Sequence, residues 1–233
     1  MIPVYMRAAY EAVMNEYETA LARAGRHDKP LLLAAVKYAR DEELTALQEL
    51  GVAAVGENRV QQWQAHKPLL RPDLPVHFIG SLQKNKVKYI AGEIAVIHSV
   101  DSVPLAAEIE RQAAAHDRVL PVLIEINSAG EESKSGVLPR EARPLLEALL
   151  TMPHVAPRGL MTMGPRDLDE AGYRRLFAGV RELAADLWRG VGLAEKPLLS
   201  MGMSDSMTAG VLEGADILRV GRRFFAGRPD GNT

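Results

Sequence analysis

The chain has no cysteine among its 233 residues. That removes thiol nucleophiles, thiolate metal sites and any disulfide scaffold, and it is compatible with a reducing compartment. Charge of one sign is lacking too, since a net charge of −2 gives no general polyanion-binding signature. No run approaches the ~20 apolar residues of a membrane span. The opening stretch MIPVYMRAAYEAVMNEYETALARAGR is interrupted by Glu11, Glu16 and Glu18, so it reads as an amphipathic helix and not as a targeting segment. The expectation is a cytoplasmic protein with no membrane partner. The six histidines show no HExxH or similar ligand spacing, so no metal site is expected. Pro/Gly/Ser-rich linkers and low-complexity segments are also missing. One domain over residues 1–233, with a flexible end at 226–233, is the resulting organisation.

The composition that remains is that of an ordinary globular protein, with 47% hydrophobic and 25% charged residues. A chain of this length buries about 70–75% of the surface its unfolded form exposes, enough for a core without staples. Eight short apolar runs recur, at 31–37, 53–58, 76–80, 94–100, 120–127, 158–163, 197–203 and 217–221. Polar, helix-like segments such as DEELTALQEL, SVPLAAEIERQAAAHD, LPREARPLLEALL and DLDEAGYRRLFAGVRELAADLW separate them. Runs that are apolar on both faces suit a parallel sheet covered by helices. The economical solution is an α/β fold, a single (β/α)8 TIM barrel preceded by one extra helix. An open doubly wound sheet is the alternative, but it would usually carry a glycine-rich phosphate loop after its first strand. Lys37 stands there instead.

Barrel enzymes place their chemistry at the C-terminal ends of strands, so the residues closing each run matter most. Alternation puts Leu31, Leu33, Ala35 and Lys37 on one face of the first run. If that face is the inner one, Lys37 enters the barrel mouth as a partly desolvated amine suited to Schiff-base formation. A lysine that merely marks the strand end and snorkels into water is the other reading. After the seventh run, Ser200, Gly202, Ser204 and Ser206 offer hydroxyls and close backbone approach. After the eighth, Gly221 and Arg222 offer backbone N–H groups, and these two loops are a common phosphate site in such barrels. Ordinary turn chemistry would explain either loop taken alone. Arg219 shares a face with Ile217 and Gly221 and points inward, where a ligand ring nitrogen or the carboxylate of Glu125 could be its partner. Amine, phosphate cup and inward arginine together describe a pocket for pyridoxal 5'-phosphate.

The chain resembles the pyridoxal phosphate homeostasis proteins, also called the proline synthase co-transcribed family, which are similar to the N-terminal domain of bacterial alanine racemase. The matching segments are AAVKYAR with Lys37, VGENRVQ with Gly56, Glu57 and Asn58, and HFIGSLQKNK with His77, Gly80, Gln83, Asn85 and Lys86. They continue through ESKSG, GLMTM, LSMGMS and RVGRRFFAG. The resemblance implies that Lys37 carries the cofactor as a Schiff base. It places Asn58 and Met161 near the ring, Ser200 and Gly221 at the phosphate, and Arg219 beside the pyridine nitrogen. Gly202 and Arg222 complete the expected cofactor-binding set, and Lys134 matches a family lysine near the pocket mouth or is a solvated loop residue. Ser206, Arg222 and Lys84 depart from the family's usual residues. An arginine at the pyridine nitrogen weakens the ring as an electron sink. The expected function is therefore intracellular vitamin B6 homeostasis: buffering, protection or delivery of the cofactor by a non-catalytic monomer, with transient contact to apo-enzymes and indirect effects on amino- and keto-acid metabolism. A weak amino-acid racemase or decarboxylase with Lys37 or Glu125 as base, and a Schiff-base sugar-phosphate aldolase, are the alternatives. His77 reads as a residue of the third strand or its loop. The run KNKVK lacks the aromatic interleaving of a nucleic-acid site and reads as a solvated helix start.

Overall fold

The computed structural model describes residues 2–130 and 135–229. Eight parallel strands close into a barrel in chain order: β1 (Leu31–Ala35), β2 (Ala54–Glu57), β3 (Val76–Phe78), β4 (Val96–Val100), β5 (Leu120–Ile126), β6 (Val155–Thr162), β7 (Leu198–Met203) and β8 (Ile217–Val220). Each falls on one of the eight apolar runs. Boundaries shift by a few residues, most at β6, which starts at Val155 and so takes in Val155, Ala156 and Pro157.

Around the barrel lie α1 (Val4–Ala24), α2 (Asp41–Glu49), α3 (Val60–His66), α4 (Val103–Ala115), α5 (Ala142–Leu150), α6 (Glu170–Gly190) and α7 (Met207–Leu212). The helix starts follow local chemistry. Asp169 caps α6 by accepting from the Gly172 N–H at 2.7 Å, and three acids open α2 where the helix dipole favours negative charge. The run KNKVK lies in a 3-10 segment, Lys84–Tyr89, which replaces a full helix between β3 and β4. Helix α1 buries Met6, Val13, Tyr17 and Leu21 and is the expected extra N-terminal helix. None of the described helices is long and apolar enough to cross a membrane.

Strand alternation sorts the core into two parts. Outward-facing residues such as Val55, Phe78, Ile97 and Val122 pack with the helices, whereas Leu33, Ala54, Ile79, Leu123, Met161 and Ile217 form a separate cluster that fills the barrel. The expectation of a flexible end from residue 226 is revised. Arg228 is buried and ion-paired to Glu43, a partner 185 residues away in sequence, which anchors this part of the chain.

Candidate functional site

Above the apolar cluster, the next inward residues are polar: His77 on β3, His98 on β4, Glu125 on β5, Ser200 on β7 and Arg219 on β8, all buried. Strand register brings three inward residues side by side, since Glu125 pairs with Met161 and Met161 with Ser200. Met161 is fully buried in the inner cluster.

Strand β1 ends at Ala35, and Lys37 opens the turn toward α2. The expected desolvation of Lys37 is not found. Its side chain is exposed on the rim, with Nζ 4.6 Å from the centroid of the Tyr38 ring. A hydrogen bond and charge from Lys37 lower the pKa of the Tyr38 phenol, with smaller contributions from Arg166 and Arg222. The turn is braced on both sides. Gln62 Nε2 donates to the Lys37 carbonyl at 2.9 Å, and Arg228 Nη2 donates to the Tyr38 carbonyl at 2.9 Å.

Arg219 points into the barrel and is only 4% exposed. Its Nη1 donates to the Ser200 carbonyl at 2.7 Å and to the Ser200 hydroxyl at 2.6 Å, while Nη2 donates to the Thr162 carbonyl at 2.8 Å. Burial lowers its pKa to about 10, opposed by the charge of Glu125, and the group stays cationic at neutral pH. Among the described residues no ion pair joins Arg219 to Glu125, so the pairing considered from sequence is replaced by neutral acceptors. Glu125 itself is pushed up to about 7, chiefly by burial and further by Asp101, with Arg219 acting the other way.

Ser200 does not face a phosphate loop. Its hydroxyl is committed to Arg219 and, at 2.9 Å, to His98 Nδ1, and the residue is fully buried, so the expected phosphate contact is revised. Ser204, the residue directly after β7, is the better placed hydroxyl. It has no hydrogen-bond partner among the described residues, while its carbonyl accepts from Arg223 Nη1 at 3.3 Å. Ser206 is occupied, its Oγ accepting from the Met203 N–H at 3.0 Å. Gly202 has φ +93°, and a Cβ there would lie 2.8 Å from Leu218 Cδ2, so both backbone and packing require glycine. At Gly221 a Cβ would stand 3.1 Å from the Ala35 oxygen, which shows how closely the end of β8 approaches the end of β1. The Arg222 side chain pairs with Asp205 at 2.6 Å, both side chains exposed, so the side chain adds charge at the opening.

Asn58 is half-buried just past β2, and its Oδ1 is buried with no hydrogen-bond partner. Such an acceptor calls for a donor that the protein does not supply. His98 and Thr162 were not singled out by sequence. The available signal was parity, because His98 lies two residues from the inward Val96 within an apolar run. Lys134 lies outside the described residues. Among the described residues no three His, Asp or Glu side chains are grouped as a metal ion needs.

Residues 10–229 match the family model of the alanine racemase N-terminal domain. The chain is 40% identical over 218 residues to the pyridoxal phosphate homeostasis protein of Aquifex aeolicus, covering 93% of this chain and 95% of that one. Among solved structures it is similar to PipY of Synechococcus elongatus with PLP bound, at 32% identity and TM-score 0.79, covering 89% of this chain and 97% of that one. It is also similar to an unknown protein from Bifidobacterium adolescentis, at 34% identity and TM-score 0.87, covering 95% and 94% of the two chains.

Proposed function

The chain belongs to the family of the alanine racemase N-terminal domain and, within it, to the pyridoxal phosphate homeostasis proteins, and from that premise we propose that it binds pyridoxal 5'-phosphate (PLP) at the open end of the barrel and serves as a carrier in its homeostasis. The observation that carries this reading is the state of Arg219. It is a donor-only group, buried, held by three hydrogen bonds to neutral acceptors, with Nε–H and one Nη2 hydrogen unpartnered among the described residues. A buried cation with spare donors suits an acceptor such as an unprotonated pyridine nitrogen.

When bound, the cofactor supplies an aldehyde that condenses with a lysine amine and a pyridine ring whose strength as an electron sink depends on protonation of its nitrogen. Lys37 supplies the amine from a turn whose backbone is pinned by Gln62 and Arg228. Arg219 would meet the ring nitrogen with its spare N–H groups and, being a permanent donor, would disfavour its protonation. The orphaned Asn58 Oδ1 would be available to a donor on the cofactor, and Met161, in the inner apolar cluster, would help hold the ring. Ser204, together with backbone amides around Gly202 and Gly221, would hold the phosphate, and Arg222 contributes positive charge at the rim. A ring nitrogen kept unprotonated makes a weak electron sink, which favours holding and handing on the cofactor over turnover. Transient contact with apo-enzymes, a monomeric state and a cytoplasmic location belong to the same proposal.

Weak amino-acid turnover is a second reading, favoured by Glu125, a buried carboxyl inside the barrel that titrates at about 7 and is thus poised to take a proton. The aldolase reading has no support in the family to which the chain belongs.

The test is an absorption spectrum of the purified protein incubated with PLP, then borohydride reduction and peptide mass mapping. A reduced adduct on Lys37, absent in Lys37→Ala, is expected; no adduct on any lysine overturns the proposal. Turnover of D- or L-amino acids that Glu125→Gln abolishes would replace the carrier by the catalyst.

A further inference from the structure

A line of hydrogen bonds crosses the barrel from strand to strand: Arg219 Nη1 to Ser200 Oγ at 2.6 Å, Ser200 Oγ to His98 Nδ1 at 2.9 Å, and His98 Nε2 to His77 Nδ1 at 2.8 Å. All four side chains are buried, at 4, 0, 0 and 6% exposure in that order. None of these contacts is local in sequence.

The direction of the chain follows from counting hydrogens. Arg219 has only donors, so the Ser200 oxygen accepts from it. The Ser200 hydroxyl hydrogen then has one acceptor among the described residues, His98 Nδ1, which must be bare. His98 therefore carries its hydrogen on Nε2 and donates it to His77 Nδ1, which must be bare as well. Both imidazoles are neutral and share the Nε2–H tautomer. A second proton on His98 would sit on Nδ1 and turn the serine hydrogen away from its acceptor, next to a guanidinium. Electrostatics agree with the count. Burial, aided by the neighbouring His77 and Arg219, holds His98 well below the usual histidine range, and burial alone brings His77 down to about 4. The other ionisable group facing Arg219 is Glu125, with Asp101 beyond it.

We propose that His77 and His98 are positioning residues for the cofactor ring: acting through Ser200, they fix the rotation of the Arg219 guanidinium, so that its spare N–H groups face the pyridine nitrogen and keep it unprotonated. This inference rests on the proposed function. It gives the two histidines a task at a distance, since neither needs to touch the ligand. With both Nη1 hydrogens taken by Ser200 and one Nη2 hydrogen by Thr162, the plane of the guanidinium is set, and only an ordered Ser200 hydroxyl leaves its oxygen open to accept. An acceptor at His98 supplies that order, and His77 supplies the tautomer of His98.

The experiment has two arms. In the first, 15N chemical shifts of the imidazoles are recorded on cofactor-free protein; both histidines are expected as neutral Nε2–H tautomers from about pH 5 to 8, the range over which an unperturbed histidine would titrate. In the second, PLP affinity and the absorption of the bound cofactor are measured for wild type, His98→Leu, Ser200→Ala and His98→Asn. His98→Leu and Ser200→Ala are expected to weaken binding roughly tenfold or more, the scale of one hydrogen bond to a charged group. They should also make the absorption of bound cofactor change with pH where that of the wild type is constant. His98→Asn, whose Oδ1 stands in for the Nδ1 acceptor, should restore wild-type behaviour. Should His98→Leu fail to fold, Ser200→Ala with its small change in volume carries the same expectation. A hydrogen on His98 Nδ1, a charged His98 at neutral pH, or unchanged affinity and spectrum in the variants overturns the inference while leaving the carrier reading intact. A wild type that takes up no PLP overturns the proposed function, and the inference with it.

Discussion

Arg228 and Glu43 form a buried ion pair that ties the C-terminal end of the described chain to the first turn of α2 and, through it, to the lysine turn. Arg228 Nε meets Glu43 Oε1 at 2.9 Å and Nη2 meets Oε2 at 2.5 Å, while Nη2 also reaches the Tyr38 carbonyl. The Tyr5 hydroxyl of α1 and the Arg40 N–H complete the shell around the same carboxylate, at 2.5 and 2.7 Å. Tyr5, Arg40 and Arg228 thus converge on Glu43, and Arg228 links this carboxylate to the carbonyl of Tyr38, the neighbour of Lys37.

Removing Arg228 leaves the Glu43 carboxylate charged and buried without its counter-ion. Arg228→Ala should destabilise the fold by ~3–5 kcal/mol, the range for a broken buried pair. Urea unfolding checks it. Tyr5→Phe, which leaves the ion pair in place, should lose only about 1 kcal/mol.

The same carboxylate predicts acid sensitivity. Burial alone would raise the pKa of Glu43, but hydrogen bonds from Tyr5, the Arg40 N–H and Arg228, with the charge of Arg228, outweigh it and hold the group below its ordinary 4.5. A folded-state pKa below the unfolded one contributes stability that is present above about pH 4.5 and is lost as pH falls through the folded value. Glu43→Gln should therefore flatten the acid limb of a plot of unfolding free energy against pH.

Glu125 has the opposite sign. Its folded-state pKa is raised, chiefly by burial, from 4.5 to about 7, so between those values the folded protein binds a proton that the unfolded chain releases. Stability falls as pH rises through that window and levels off above it. Glu125→Gln should be more stable than wild type at pH 8, by on the order of 3 kcal/mol, and nearly equal to it at pH 4. Denaturant titrations at the two pH values measure the difference.

Ser204 and Gly202 separate ligand effects from fold effects. Ser204→Ala removes a hydroxyl with no partner in the described protein, so stability should stay within about 0.5 kcal/mol while PLP binding weakens about tenfold. Gly202→Ala forces a side chain into a left-handed backbone against Leu218 and should cost about 1–3 kcal/mol in thermal or urea unfolding before any ligand is added.

Much of this architecture was legible in the sequence because it is periodic. The eight apolar runs, the inward parity of Leu31, Leu33 and Ala35, and the inward Arg219 follow from a repeat of two along each strand. The alternation misled at Lys37, since β1 stops at Ala35 and parity has no force in the turn beyond it. Ser200 and Ser204 both lie at inward-looking parity near the end of β7, and sequence alone did not separate a hydroxyl sunk in the barrel from one at the rim. The rim pairing of the Arg222 side chain with Asp205 joins residues 17 positions apart and has no periodic signal in the sequence.

The order of βα units, the single barrel and the lysine just beyond the first strand were determined by the sequence itself, because each depends on residues within a few positions of one another. The polar chain through His77, His98, Ser200 and Arg219, and the Glu43–Arg228 pair, were decided only by tertiary structure. Their partners stand 21, 102, 19 and 185 residues apart. Such contacts are set by how the strands are staggered when the barrel closes. Between β7 and β8 that stagger changes midway: Ser200 aligns with Ile217, but Arg219 aligns with Met203. An irregularity of one strand pair leaves no periodic trace in the chain, yet it lies directly after Ser200, one of the residues that hold the Arg219 guanidinium.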